Sequence, residues 1–286
     1  MKYLIVKAVI GFGDRMESLK MYINYALKNN LIIHIDWRDS VWSHGQESFY
    51  KYFKLNDIQQ IENLEDIPKD LSIFPKFWQD KLDTILTEEI IRNNYKEIEL
   101  HKLEGNYDCD ILVVSSYGYR HFYNDSSFFY NRFKVIDPRI SEEVLRRQKL
   151  YELSKKWGLH LRGTDRAKSY DFKLKRFQEL NIKLVQNGIL NGIKCIIVSD
   201  DEDYINMAKL RYSSFPILSN NIKNLGKTGT HALTKENIEI SKDEMNKNLL
   251  IDFFTLASCQ KVFSTSLDSR FANEAIRTHH YTNKIL

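Results

Sequence analysis

The chain has 286 residues, with 42 Lys and Arg against 38 Asp and Glu for a net charge of +4, and 43% of its residues are hydrophobic, enough for packed cores. At about 150 residues per domain, this length predicts two domains or one large one. The basic excess is mild and gathers into no block, which argues against a nucleic-acid partner, while only 11 Gly and 4 Pro exclude collagen-like and low-complexity structure. The elements then follow in chain order. The apolar run 2–10, interrupted by Lys7, reads as a buried first strand rather than a signal peptide. Residues 14–30 place Met16, Leu19, Ile23, Ala26 and Leu27 at helical spacing, and 31–36 is a second strand, so the chain opens as a βαβ unit of a parallel sheet. The stretch 37–107 is less regular, with a helix expected at 80–94. A strand is expected at 109–116, irregular aromatic-rich structure over 117–140, and a helix at 141–156 starting on Ser141.

From Trp157 the alternation restarts. Strands are expected at 157–163, 194–200, 215–219 and 261–266. Helices are expected at 172–188, 201–212, 242–259 and from 269 onward, with a polar loop at 219–231. The pattern predicts an α/β protein of two halves, 1–145 and 146–286, each with a parallel sheet, and a ligand between them at the C-terminal ends of the strands. Cys109, Cys195 and Cys259 are far apart and form no Cys-x-x-Cys pair. Buried thiols in a reducing cytoplasm are expected, not disulfides or a zinc site. No stretch approaches the ~20 apolar residues that span a bilayer.

Four places carry candidate chemistry. Gly11 and Gly13 stand between the first strand and first helix, either as a tight turn or as a close approach to an anion. Arg15 in that first helical turn opposes the helix dipole and so needs an acidic partner or an anionic ligand. Next, His160 and Arg162 share one face of a strand that ends in Gly163, Thr164 and Asp165. The guanidinium fits either a pyrophosphate or a surface carboxylate. Ser199, Asp200 and Asp201 end another strand, as a helix cap or as an Asp-x-Asp metal ligand set. Finally, Asp252 lies in an apolar helix and needs a donor, either a guanine edge or a nearby cation. The run Ser264-Thr265-Ser266 through Ser269 fits a phosphate cradle or an ordinary N-cap.

In this order and spacing the strings resemble the bacterial nodulation and α1,6-fucosyltransferase group, and more loosely the α1,2- and protein O-fucosyltransferases. The most specific match is the His-x-Arg-x-x-Asp signature, His160-Leu161-Arg162-Gly163-Thr164-Asp165. The resemblance covers about half the chain, mostly its C-terminal half. It implies a GT-B fold, two Rossmann-like domains facing a central cleft, and an inverting, metal-independent transfer of fucose or a related sugar from a GDP donor to a glycan or lipid-linked acceptor. Arg162 would then hold the β-phosphate and His160 seat the nucleotide. Asp252 would read the guanine edge, and Thr265, Ser266 and Ser269 would cradle the pyrophosphate. Gly11, Gly13, Arg15, Ser199 and Asp200 are further donor-binding candidates, with Asp165 or Asp171 as general base. The α1,6 enzymes carry a second arginine where this chain has Gly163. No cofactor besides the donor is implied, and the reading is cytoplasmic with peripheral membrane association left open. Trp37, Trp42, Tyr117 and Tyr119 are candidates for an acceptor cleft. Two alternatives stand beside this reading: a metal-dependent GT-A-like transferase using Asp201 and Asp203, and a non-catalytic GDP- or glycan-binding module.

Overall fold

A computed structural model describes residues 2–8, 11–40, 49–98, 103, 107–115, 125–163, 169–219 and 240–286. The chain divides into two compact units, Met1–Asp137 with Lys284–Leu286, and Pro138–Asn283.

The first unit is built on a parallel sheet. Strands β1 (Tyr3–Lys7) and β2 (Ile32–Asp36) are joined by helix α1 (Phe12–Lys28). Gly11 caps α1, and of the expected stripe Met16, Leu19, Ile23 and Ala26 are buried while Leu27 is half-buried. A two-residue strand β4 (Ile73–Phe74) and strand β5 (Ile111–Ser115) complete the order β2-β1-β5-β4. Strand β3 (Phe53–Leu55), between β2 and β4 in sequence, and strand β6 (Phe133–Val135), after β5, form a separate antiparallel pair. That pair, and a short helix α3 (Ser127–Tyr130), fall partly where irregular structure was expected. Of the helix expected at 80–94, residues 80–87 form turns and a bridge, and only the part from Glu88 onward is helical, as α2 (Glu88–Ile98). Thr87 sets its start, because its hydroxyl accepts the Ile90 N–H at 3.0 Å.

The second unit begins with α4 (Pro138–Tyr151). Its start lies three residues before Ser141. Proline suits the first helical position, where no N–H bond is lost, and the Ser141 hydroxyl bonds back to the Pro138 carbonyl at 3.2 Å. Strands β7 (Trp157–Leu161), β8 (Cys195–Ser199) and β9 (Lys261–Ser264) form a parallel sheet in the order β8-β7-β9. Ile217 adds a further parallel bridge beside β8, where a strand was expected at 215–219. Helices α5 (Tyr170–Gln186), α6 (Glu202–Arg211) and α7 (Lys242–Ala257) lie between the strands in sequence, and α8 (Arg270–Thr278) follows β9.

Alternation along β7 explains how both faces of this sheet are covered. Trp157, Leu159 and Leu161 join Phe177, Leu180 and Leu184 of α5 and Tyr204, Met207 and Ala208 of α6 in one core. Gly158 and His160 point the other way. A Cβ on Gly158 would stand 2.8 Å from a methyl of Leu256, so α7 packs onto bare backbone there. The three cysteines are buried free thiols. Burial pushes the Cys195 thiol up to about 12, which keeps it protonated and unreactive.

Candidate active site

The parallel strands of the second unit all end at the same edge of their sheet, and there the apolar runs give way to polar residues. Such edges are where open α/β sheets bind ligands. His160, near the end of β7, is buried, and its Nδ1 lies 3.2 Å from the Ser264 hydroxyl and 3.4 Å from that of Ser269. Its ring packs on Phe271 at 5.3 Å. Burial pushes the imidazole down to about 4, with Asp200 opposing and Arg162 adding to the effect. The ring is therefore neutral at physiological pH.

This makes a pH prediction. The native state holds His160 neutral, whereas the unfolded chain binds a proton below its ordinary value of 6.5. Stability is complete above pH 6.5 and falls as pH drops toward 4, by about 3 kcal/mol in total. Urea unfolding at about pH 7 and about pH 5 should show His160→Gln losing about 2 kcal/mol less than the parent over that interval. Equal losses would contradict a buried neutral imidazole.

Arg162 follows β7. Its backbone N–H donates to the Thr265 hydroxyl at 2.8 Å, fixing the residue against the end of β9. Its guanidinium pairs with Asp200 at 2.5 Å, the two side chains being 17% and 12% exposed. Asp200 also accepts the Gly163 N–H at 2.8 Å. The carboxylate thus orients the arginine at a place that solvent still reaches. Thr265 is buried and its N–H bonds the His160 carbonyl at 3.1 Å. Ser266 is half-buried, with its N–H 3.2 Å from the Ser264 hydroxyl. Ser269 caps α8, accepting the Ala272 N–H at 3.3 Å. Its helix N-terminus opens at the same edge and favours anions. Ser199 is tied down, donating to the Leu161 carbonyl at 2.8 Å.

Asp201, not Ser199 or Asp200, caps α6, accepting the Tyr204 N–H at 3.2 Å. Sequence reasoning missed its partner, Lys173. The Lys173 ammonium lies 2.6 Å from Asp201 and 2.6 Å from Asp203. Burial alone would lower this lysine, but the two carboxylates overcome it and hold the ammonium above its ordinary value. The carboxylates considered as metal ligands are thus bridged by a cation of the chain itself. The signal was available: Lys173 is in register with Phe177, Leu180 and Leu184 on the buried face of α5.

The same contact explains Gly163. A Cβ built there would lie 2.2 Å from the Asp201 Cβ, Cγ and Oδ2 atoms. No side chain fits, which accounts for the absence of a second arginine beside Arg162. Gly163→Ala should therefore cost about 1–3 kcal/mol by overpacking. Gly11→Ala, whose Cβ would meet its nearest atom at 3.9 Å, should stay within about 0.5 kcal/mol. Thermal melts of the two variants check this, and similar losses in both would refute the packing argument.

Other expected residues lie elsewhere. Asp171 is in the first turn of α5 and is exposed. Asp165, together with Trp42, Tyr117 and Tyr119, lies outside the described residues, while Trp37 is fully buried. Asp252 on α7 receives the Arg147 guanidinium from α4 at 3.1 Å, so the donor it requires is present within the chain. Arg147 also bonds Glu143 at 2.9 Å.

In the first unit, Gly11 and Gly13 open α1, and Arg15 finds an acidic partner. It is fully buried against Asp39 and lies over the Trp37 ring at 5.4 Å. A second buried cluster stands at the strand ends. Lys7 and Asp36, neighbours in register on β1 and β2, pair at 2.7 Å. Arg38 bonds Asp36 at 3.0 Å and Asp83 at 2.7 Å. Burial opposes ionisation of Asp36, but Lys7 and Arg38 overcome it and hold its carboxyl below the usual range.

No family model matches the chain, and no curated protein does. Solved structures do. Fucosyltransferase NodZ from Bradyrhizobium superposes with a TM-score of 0.65 at 17% identity, over 100% of this chain and 93% of that one. NodZ α-1,6-fucosyltransferase soaked with GDP-fucose gives a TM-score of 0.64 at 19% identity, over 96% and 91%. POFUT1 in complex with GDP gives 0.55 at 10% identity, over 99% and 96%. The chain therefore has the GT-B fold of these fucosyltransferases, as its motifs led one to expect.

Proposed function

We propose that this chain is a glycosyltransferase that takes fucose, or a related sugar, from a GDP-linked donor and delivers it to a glycan or lipid-linked acceptor. One observation carries the reading. A solvent-reached arginine, the Thr265–Ser269 turn and the N-terminus of α8 meet at the C-terminal edge of a parallel sheet, in a fold whose solved examples include crystals with GDP and GDP-fucose.

The chemistry follows from charge. Breaking the bond between sugar and diphosphate puts negative charge on the departing GDP. A guanidinium and oriented N–H and O–H donors stabilise that charge without a metal ion. In this role Arg162 meets the leaving diphosphate, held in place by Asp200. Ser266 and Ser269, with the N-terminal end of α8, receive the other oxygens. His160 buttresses this turn as a neutral hydrogen-bonding ring. A single displacement inverts the sugar carbon and needs a base for the acceptor hydroxyl. Asp171, exposed at the head of α5, or Asp165 supplies it. Arg147 already occupies Asp252, so base selection need not fall to that carboxylate. The bridging of Asp201 and Asp203 by Lys173 counts against the GT-A-like alternative.

The test is release of GDP from GDP-fucose with a panel of glycan acceptors, with and without EDTA. The proposal expects acceptor-stimulated release that survives chelation. Tight GDP binding with no turnover on any acceptor would make the chain a binding module instead, and loss of activity with EDTA would overturn the metal-independent mechanism.

A further inference from the structure

A different surface of the second unit carries a separate signal. Because β7, β8 and β9 are parallel, each crossover helix returns the chain to the N-terminal edge of the sheet, opposite the edge that holds Arg162. The ends of α5 and α6 come together there. Ile189 and Ile193 after α5, and Tyr212 and Phe215 after α6, all pack against the same core cluster. Beyond them stand the two most exposed large apolar side chains among the described residues, Leu190 at 79% and Leu210 at 89%. Ile182 and Val185, one helical turn apart on α5, continue the exposed apolar strip toward Leu190.

The charge around this strip has one sign. Residues 181–194 and 205–219 contain no Asp or Glu, but they contain Lys183, Lys194, Lys209 and Arg211. Lys194, Lys209 and Arg211 are exposed. Glu179, one turn back on α5, pairs with Arg176 at 3.1 Å, and Glu152, which Lys194 also reaches, pairs with Lys155 at 2.5 Å. Isolated exposed leucines need no explanation, but a cluster framed by cations and free of acids has the composition of a surface that meets anionic lipid headgroups. The cations attract the headgroup layer and the leucines enter it.

We propose that this edge of the second unit, with Leu190 and Leu210 at its tip, docks on an anionic phospholipid bilayer. The inference does not rest on the donor reading. The five-residue strands separate the two edges by ~16 Å, so docking leaves the Arg162 edge uncovered.

Vesicle co-sedimentation of the full chain tests it, comparing phosphatidylcholine vesicles with vesicles containing about 30 mol% phosphatidylglycerol. Expected is retention on the anionic vesicles, weakened about fivefold for each cation removed in Lys209→Gln and Arg211→Gln. The pair Leu190→Ser with Leu210→Ser should weaken it at least about tenfold. All these variants should keep the parent melting temperature, since the side chains changed are exposed. Four outcomes would overturn the proposal. They are no retention on anionic vesicles, equal retention on neutral ones, variants that bind like the parent, or a concentration-dependent dimer that the leucine variant abolishes, which would assign the face to a second copy of the chain. Any of these leaves GDP-fucose turnover, measured without lipid, as a separate result.

Discussion

Arg162→Ala is expected to lower kcat by about 10²-fold or more while barely moving the melting temperature. The size follows from losing one charged donor aimed at the departing diphosphate, about 2.7–4 kcal/mol of transition-state stabilisation. The fall should appear in kcat more than in KM, because the charge that Arg162 meets grows as the bond breaks. Stability should change little. The ion pair with Asp200 is partly solvated, and such pairs contribute about 0–1 kcal/mol. The bond from the Arg162 N–H to Thr265 involves backbone and survives the substitution. Arg162→Lys should recover only part of the rate, since an ammonium cannot hold two oxygens in a plane. Steady-state kinetics with GDP-fucose, beside a thermal melt, separates the two effects. An alanine variant turning over at the parent rate would remove Arg162 from the chemistry.

The second large effect concerns stability and belongs to the first unit. Asp39→Ala should destabilise the protein by about 3–5 kcal/mol, because it leaves the Arg15 guanidinium buried without its carboxylate. Both side chains of that pair are fully buried. At about 2–4 °C per kcal/mol, the melting temperature should fall on the order of 10 °C. The double variant Arg15→Met with Asp39→Leu should recover most of the loss, since well-packed apolar residues replace a buried pair at little cost. If Asp39→Ala melts with the parent, Arg15 is not held by Asp39 and the anion-ligand reading of that arginine returns.

The fold of the second unit was legible because its strands are short apolar runs that stop at polar residues. Each of "GLHLR", "CIIVSD" and "KVFSTS" announces both a buried parallel strand and the edge at which it ends. That pattern places His160, Arg162, Asp200, Thr265 and Ser269 at one edge. What periodicity could not convey were pairings between distant side chains. Asp252 and Arg147 stand 105 residues apart, and Arg15 and Asp39 are 24 apart. A buried charge shows in sequence only as a need for some partner. The β3–β6 ribbon was missed for a related reason: three-residue strands joined over long range carry too little alternation to be seen. Glycine at 163 looked like a missing arginine, and only the position of the Asp201 side chain shows why nothing larger fits.

The edge that holds Arg162 is expected to bind a guanosine diphosphate. A thermal-shift series with GDP, UDP, CDP and ADP measures it most directly. At a hundred times its dissociation constant, a ligand adds about 2.7 kcal/mol of stability, and GDP alone should give a shift of that order. A flat response to all four, or a larger shift with ADP, CDP or UDP, would contradict the account.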